Sequence, residues 1–156
     1  IFGLNVNKPL RSLKALSWWA ALLAPFVTKL PVSWFYPMGK EQEVHVTRHP
    51  EYFLDSDIIA GDFHYIKKFM PDKLPGKIII TNTVTAADRV MLKEAGVRML
   101  ITTTPCIEGR SFGTNVMEAM LVAVHGDKGP LPASEYLHLL EQYHIESSVE
   151  YFNTEE

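Results

Sequence analysis

Apolar residues along this chain recur first at helical spacing and later in short runs that suit buried strands. Leu10, Leu13, Leu16, Ala20 and Leu23 fall three or four apart, the interval at which one face of an α-helix returns. Pro9 suits a first helical turn, where its missing N–H leaves no bond unmade. The pattern predicts a helix over 9–24, broken by Pro25 and Pro31. An aromatic, irregular stretch follows through Trp34, Phe35, Tyr36, Pro37 and Gly39, and residues 40–49 are polar enough to read as a surface connection.

From residue 57 the pattern changes. Residues 57–61 (Asp-Ile-Ile-Ala-Gly) form a short apolar run expected to be a buried strand, with a helix from Phe63 to Met70 behind it. Pro71, Pro75 and Gly76 end that helix and lead to a second strand over 77–81. Thr85 is placed to cap the next helix, with Asp88 three positions on completing a capping box. Ala87, Val90, Met91 and Ala95 are expected on its apolar face, and Asp88, Arg89, Lys93 and Glu94 on its wet face. Gly96 is a natural stop, and residues 97–103 give a third strand suited to a sheet covered on both sides. Strand, helix and strand in succession predict a crossover unit and a parallel core. A helix over 115–125 is apolar nearly all round, which calls for burial against more than one neighbour. Residues 126–132 are turn-rich, 133–143 form an amphipathic helix, and 148–152 alternate weakly, as an edge strand would.

The expected fold is therefore α/β, a three-layer Rossmann-like domain with a short parallel sheet and an N-terminal helical segment. Residues 1–50 supply the helix and the aromatic connection, and residues 51–156 the α/β core, together one compact domain. The start at Ile1, in an apolar tract, reads as a cut through a longer protein.

Composition narrows the classes. With 47% apolar and 21% charged residues the chain has a globular balance, and a net charge of −3 gives no basic face for nucleic acid. Cys106 is the single cysteine, so neither an intrachain disulfide nor a cysteine-rich zinc site is available, which leans towards a cytoplasmic setting. Residues 15–27 are mostly apolar, with Trp18 and Trp19, but fall short of the roughly 20 residues that span a bilayer. A buried helix or subunit contact is the first reading of that segment, and an interfacial anchor the second.

Ligands in open parallel sheets bind beyond the carboxyl ends of the strands. Here those ends carry Asp62 and His64, then Asn82, Thr83 and Thr85, then Thr103 and Thr104, leading into Gly109-Arg110-Ser111-Phe112-Gly113-Thr114-Asn115. The last segment has the composition of an anion cradle: glycines that permit close approach, an arginine suited to a carboxylate or phosphate, and a helix start with free N–H groups. Equally, Asn115 and Glu118 can form a capping box while Arg110 pairs with a carboxylate. Candidate ligand contacts are Asn82, Thr83, Thr103, Thr104, Arg110, Ser111, Gly113, Thr114 and Asn115. Asp62 and His64 are candidate acid and base, with a helix N-cap as the alternative role of Asp62. His45 and His49 are four apart but lack a third ligand, so no metal is expected. Cys106 has no neighbouring base in sequence.

The stretches Gly61-Asp62-Phe63-His64-Tyr65-Ile66, Thr81-Asn82-Thr83-Val84-Thr85, Thr102-Thr103-Thr104-Pro105 and residues 109–119, with the similar start over 9–16, resemble the C-terminal half of bacterial proteins of the quinate 5-dehydrogenase family. The resemblance runs from about Pro9 to Phe152. It implies oxidation of a quinate or shikimate hydroxyl with NAD or NADP, with Arg110 on the substrate carboxylate or a cofactor phosphate. It also implies packing against the absent N-terminal half or a second subunit. The Lys-Asp pair and glycine-rich nucleotide turn of shikimate dehydrogenases have no match here. A non-catalytic module binding a small polar or anionic molecule is the alternative.

Overall fold

The computed structural model describes residues 9–31, 45–126 and 129–152. The aromatic stretch expected at 34–39 and the connection at 40–44 lie outside the described residues. The chain is a mixed α/β protein whose main sheet has four strands in the order β1 (Ile58–Ala60), β2 (Ile78–Thr81), β3 (Met99–Thr102) and β6 (Ser148–Tyr151). The first three are parallel and β6 runs antiparallel along β3. Helices α3 (Phe63–Phe69) and α4 (Ala86–Glu94) make the two crossovers. The carboxyl ends of β1, β2 and β3 thus lie along one edge, as expected.

The core gathers beneath these elements. Phe63, Leu74, Ile79, Leu92 and Leu100 are fully buried, joined by Ile66, Phe69, Val84, Val97 and Phe152. Each such side chain contributes about 1.5–3 kcal/mol relative to exposure. Gly96 closes α4 with φ +86°, and a Cβ there would stand 3.3 Å from the Pro75 Cα. Both facts demand glycine at that position. The bonds Leu74 N–H to Ala95 O and Gly76 N–H to Gly96 O tie the two strand entries together.

Several expectations need correction. β1 is not a buried strand: it sits at the sheet edge, and Ile58 and Ala60 are exposed, because β2 covers only one of its sides. The N-terminal helix α1 spans Leu13–Val27 rather than 9–24. Ser12 accepts the Ala15 N–H and sets the start, so Pro9 lies outside. Pro25 does not break the helix, because it falls in the last turn, where one backbone bond is lost and only two residues follow. A short helix α2 (Pro50–Leu54) was missed in sequence. Residues 45–48 are not a free connection either: Val46 and Arg48 donate to Lys68 O and Phe69 O, and His45 Nε2 bonds Met70 O at 2.8 Å. They close the carbonyl end of α3.

The apolar face assigned to α4 is also displaced. Ala87 and Val90 are exposed, whereas Asp88, Leu92 and Ala95 are buried. Asp88 turns inward because its carboxylate has partners there. It accepts the Thr85 N–H at 3.0 Å and the Thr85 hydroxyl at 2.6 Å, and takes Lys67 Nζ at 2.6 Å. The expected capping box forms in full. Burial alone would raise the Asp88 pKa, but the bonds from Lys67 and Thr85 outweigh it and hold the carboxyl below its ordinary value. A lowered folded-state pKa gives stability that is present above the unfolded carboxylate value, about 3.9, and lost as the pH falls through the folded one. Asp88→Asn is therefore expected to cost about 1–3 kcal/mol at pH 7. In urea denaturation the gap between variant and parent should narrow at pH 3.

Candidate functional site

Above the carboxyl edge, the chain after β3 makes a two-stranded hairpin, β4 (Cys106–Ile107) and β5 (Arg110–Ser111). Its turn residues Glu108 and Gly109 both have positive φ, 51° and 78°, the geometry of a tight type I′ connection. Gly109 thus serves the turn rather than a ligand. The usual Asn-Gly or Asp-Gly signal is replaced by Glu-Gly, which hid the hairpin.

Ser111 fastens this hairpin down. It is fully buried, accepts the Val84 N–H through its hydroxyl at 2.7 Å, and returns its own N–H to Val84 O at 2.9 Å. Arg89, expected on the wet face of α4, makes the second fastening. Its guanidinium donates to Gly109 O, reaches the Cys106 sulfur at 3.2 Å, and pairs through Nε with Glu150 of β6 at 2.9 Å. Nothing in the helical period of α4 could reveal a partner 61 positions away.

These fastenings shape a cleft of about 550 Å³. It is lined by Asp62 and His64 from the start of α3, Asn82 and Thr83 from the loop after β2, and Arg110, Ser111, Gly113, Thr114 and Asn115 from the hairpin and the start of α5. Nine of the eleven candidate residues therefore meet in one place. Thr103 and Thr104 do not. They line a neighbouring, more apolar groove of about 530 Å³ with Met117, Leu121 and Tyr136, and Thr114 alone of the candidates reaches both. The Thr104 hydroxyl is buried and donates to Phe112 O at 2.6 Å, bracing the hairpin exit instead of facing a ligand.

The alternatives left open by sequence now separate. Helix α5 spans Thr114–His125, and its N-cap is Gly113, with no side chain bonded to the first turn. Asn115 and Glu118 do not form a capping box; Glu118 instead accepts the Tyr136 hydroxyl at 3.0 Å. Among the described residues no carboxylate pairs with Arg110, which is exposed. Asp62 does cap α3, taking the His64 N–H at 2.9 Å. Its charge, after burial, also contributes to the raised pKa of Tyr65. Thr83 has φ +52°, a left-handed conformation that is costly for a β-branched residue. A Cβ on Gly113 would stand 3.4 Å from the Thr83 hydroxyl, so the start of α5 lies close against this strained turn. The Asn82 Oδ1 is buried and accepts no hydrogen bond.

The residues outside the cleft behave as ordinary structure. His49 pairs with Glu51 and His125 with Glu135, and no three His, Cys, Asp or Glu residues among those described cluster as a metal site. Cys106 is exposed, with the Arg89 guanidinium 3.2 Å from its sulfur. No described helix is long and apolar enough to cross a membrane.

A family model described as a domain of unknown function (DUF8754) matches residues 1–152. The chain belongs to that family. No curated protein and no solved structure matches this family member.

The buried hydroxyl of Ser111 offers a direct check on how the cleft is held. Ser111→Ala leaves the Val84 N–H unsatisfied, at a cost of about 1–3 kcal/mol. Amide hydrogen exchange at Val84 and Ser111 should accelerate by one to two orders of magnitude, with β1 and β2 little changed.

Proposed function

We propose that this domain binds a small hydroxylated organic anion in the cleft at the carboxyl edge of its sheet. The observation that carries the reading is Arg110: an exposed guanidinium with no carboxylate partner among the described residues, in the same cleft as a helix start that no side chain caps. An arginine fork binds carboxylate or phosphate through two parallel bonds, and the free N–H groups and dipole of α5 favour the same charge. Asn82 adds specificity. Its unpaired Oδ1 asks for a donor, which a ligand hydroxyl supplies. Thr83, held in strain beside Gly113, offers a further hydroxyl.

A hydroxylated carboxylate such as quinate or shikimate meets these demands, in line with the resemblance to quinate 5-dehydrogenases. In a Rossmann-like arrangement with NAD or NADP, Asp62 and His64 would supply proton transfer, and their place on the wall of the same cleft favours this as the second reading. Asp62 already spends one carboxylate oxygen on the cap of α3, which weighs towards binding without turnover. The first reading therefore stands as a ligand-binding module, with catalysis requiring residues beyond those in the cleft.

Titration calorimetry with quinate, shikimate and inorganic phosphate tests the anion site. Arg110→Ala should weaken binding at least tenfold, about 1.4 kcal/mol, with an unchanged circular dichroism spectrum. Equal affinity in a folded variant would remove Arg110 from the site. Absorbance of NADH and NADPH with the same two hydroxy acids then separates turnover from binding alone.

A further inference from the structure

Two apolar helix faces of this chain have no partner among the described residues. Helix α5 is apolar on nearly every side, yet only Met117 and Leu121 are buried, against the expectation of cover on several sides. Val116, Met120 and Val124 are 55%, 42% and 56% exposed, with exposed Ala119 and Ala123 between them. These five positions follow the i, i+3, i+4, i+7, i+8 order, so they form one continuous stripe with small residues along its middle. Such a stripe is what a second helix packs against.

Helix α1 presents the matching half. None of its residues is buried. Leu16, Trp19, Leu23 and Phe26, spaced three, four and three apart, are 50%, 43%, 40% and 70% exposed. They line one face, while Lys14 and Ser17 fall on the other. The bulky side chains of α1 suit the small-residue stripe of α5, where knobs need room. Charge agrees with shape. Residues 1–31 carry four basic and no acidic side chains, whereas the remainder carries eleven basic and eighteen acidic ones. The basic segment that carries α1, with Arg11, Lys14 and Lys29 in and beside the helix, is thereby drawn towards the acidic body of another copy.

We propose that two copies of this chain exchange α1, each laying the Leu16–Trp19–Leu23–Phe26 face on the Val116–Met120–Val124 stripe of the other. The contact is made twice about one two-fold axis, so a modest helix pair is doubled in each dimer. The length of α1 fits this role: its 15 residues span about 22 Å, enough to lie along the 12 residues of α5.

Light scattering after gel filtration, with the chain at 10–100 µM as a rough working range, reads the outcome. The expected mass is twice the 17.7 kDa of the chain. Leu23→Asp and Ala123→Glu lie at exposed positions, so each should give a monomer with unchanged thermal unfolding of the core. Mixing the two variants should restore a heterodimer, because one intact α1 then meets one intact α5. A monomeric parent overturns the proposal, as does a dimer that survives Ala123→Glu. A monomer that sediments with vesicles of anionic lipid but not with neutral ones assigns α1 to a membrane surface and overturns it too.

Discussion

The candidate cleft depends on one pair of hydrogen bonds, those that Val84 and Ser111 exchange beneath the hairpin. Val84 follows Asn82 and Thr83, and Ser111 follows Arg110. Two loops that are far apart in sequence are thus locked within two residues of Asn82, Thr83 and Arg110. Both partners are fully buried, so neither bond competes with water. Arg89 repeats the logic from the outside, joining the hairpin turn to β6 through Glu150. The cleft is consequently a product of packing between loops and not of any single motif.

Polar groups under the sheet edge divide into two kinds. Thr81, Thr102 and Thr104 are buried, and each hydroxyl donates to a nearby carbonyl: Gly61, Thr104 and Phe112 respectively. They stiffen the ends of the strands. Asn82, Thr83 and Arg110 instead stand on the cleft itself: among the described residues the Asn82 oxygen and the Arg110 charge have no partner, and Thr83 has a strained backbone. The buried unpaired oxygen of Asn82 and the strained backbone of Thr83 each cost stability if the site does nothing. Their convergence is a stronger pointer to a ligand than the threonine-rich composition, most of which turns out to be structural.

Exposure of apolar surface sets the second theme. The core around Phe63, Ile79, Leu92 and Leu100 is closed, whereas α1 and one side of α5 leave contiguous apolar stripes in water. Stripes of that extent mark contact surfaces more often than chance placement. The anion cleft and the stripe share α5, and Val116 in its first turn belongs to both. Events at one are mechanically close to the other.

Side-chain chemistry read along the chain reaches only local features. The Thr85–Asp88 capping box, the stop at Gly96, three short strands running parallel and an edge strand near 148–152 all follow from side-chain chemistry acting within a few residues, or from the short range of a crossover, whereas the strand order and the antiparallel direction of β6 came from tertiary pairing. The same reading placed eleven candidate residues at one edge because parallel strands end on one side, and nine of them meet in the cleft. Tertiary structure alone decided the rest. It turned Asp88 and Arg89 inward, since their partners Lys67 and Glu150 lie 21 and 61 positions away. It placed Thr103 and Thr104 beside a second groove, exposed β1 by leaving it at the sheet edge, and left α5 half uncovered. Periodicity tells which side of an element is apolar, but only the neighbours that actually arrive decide which side is buried.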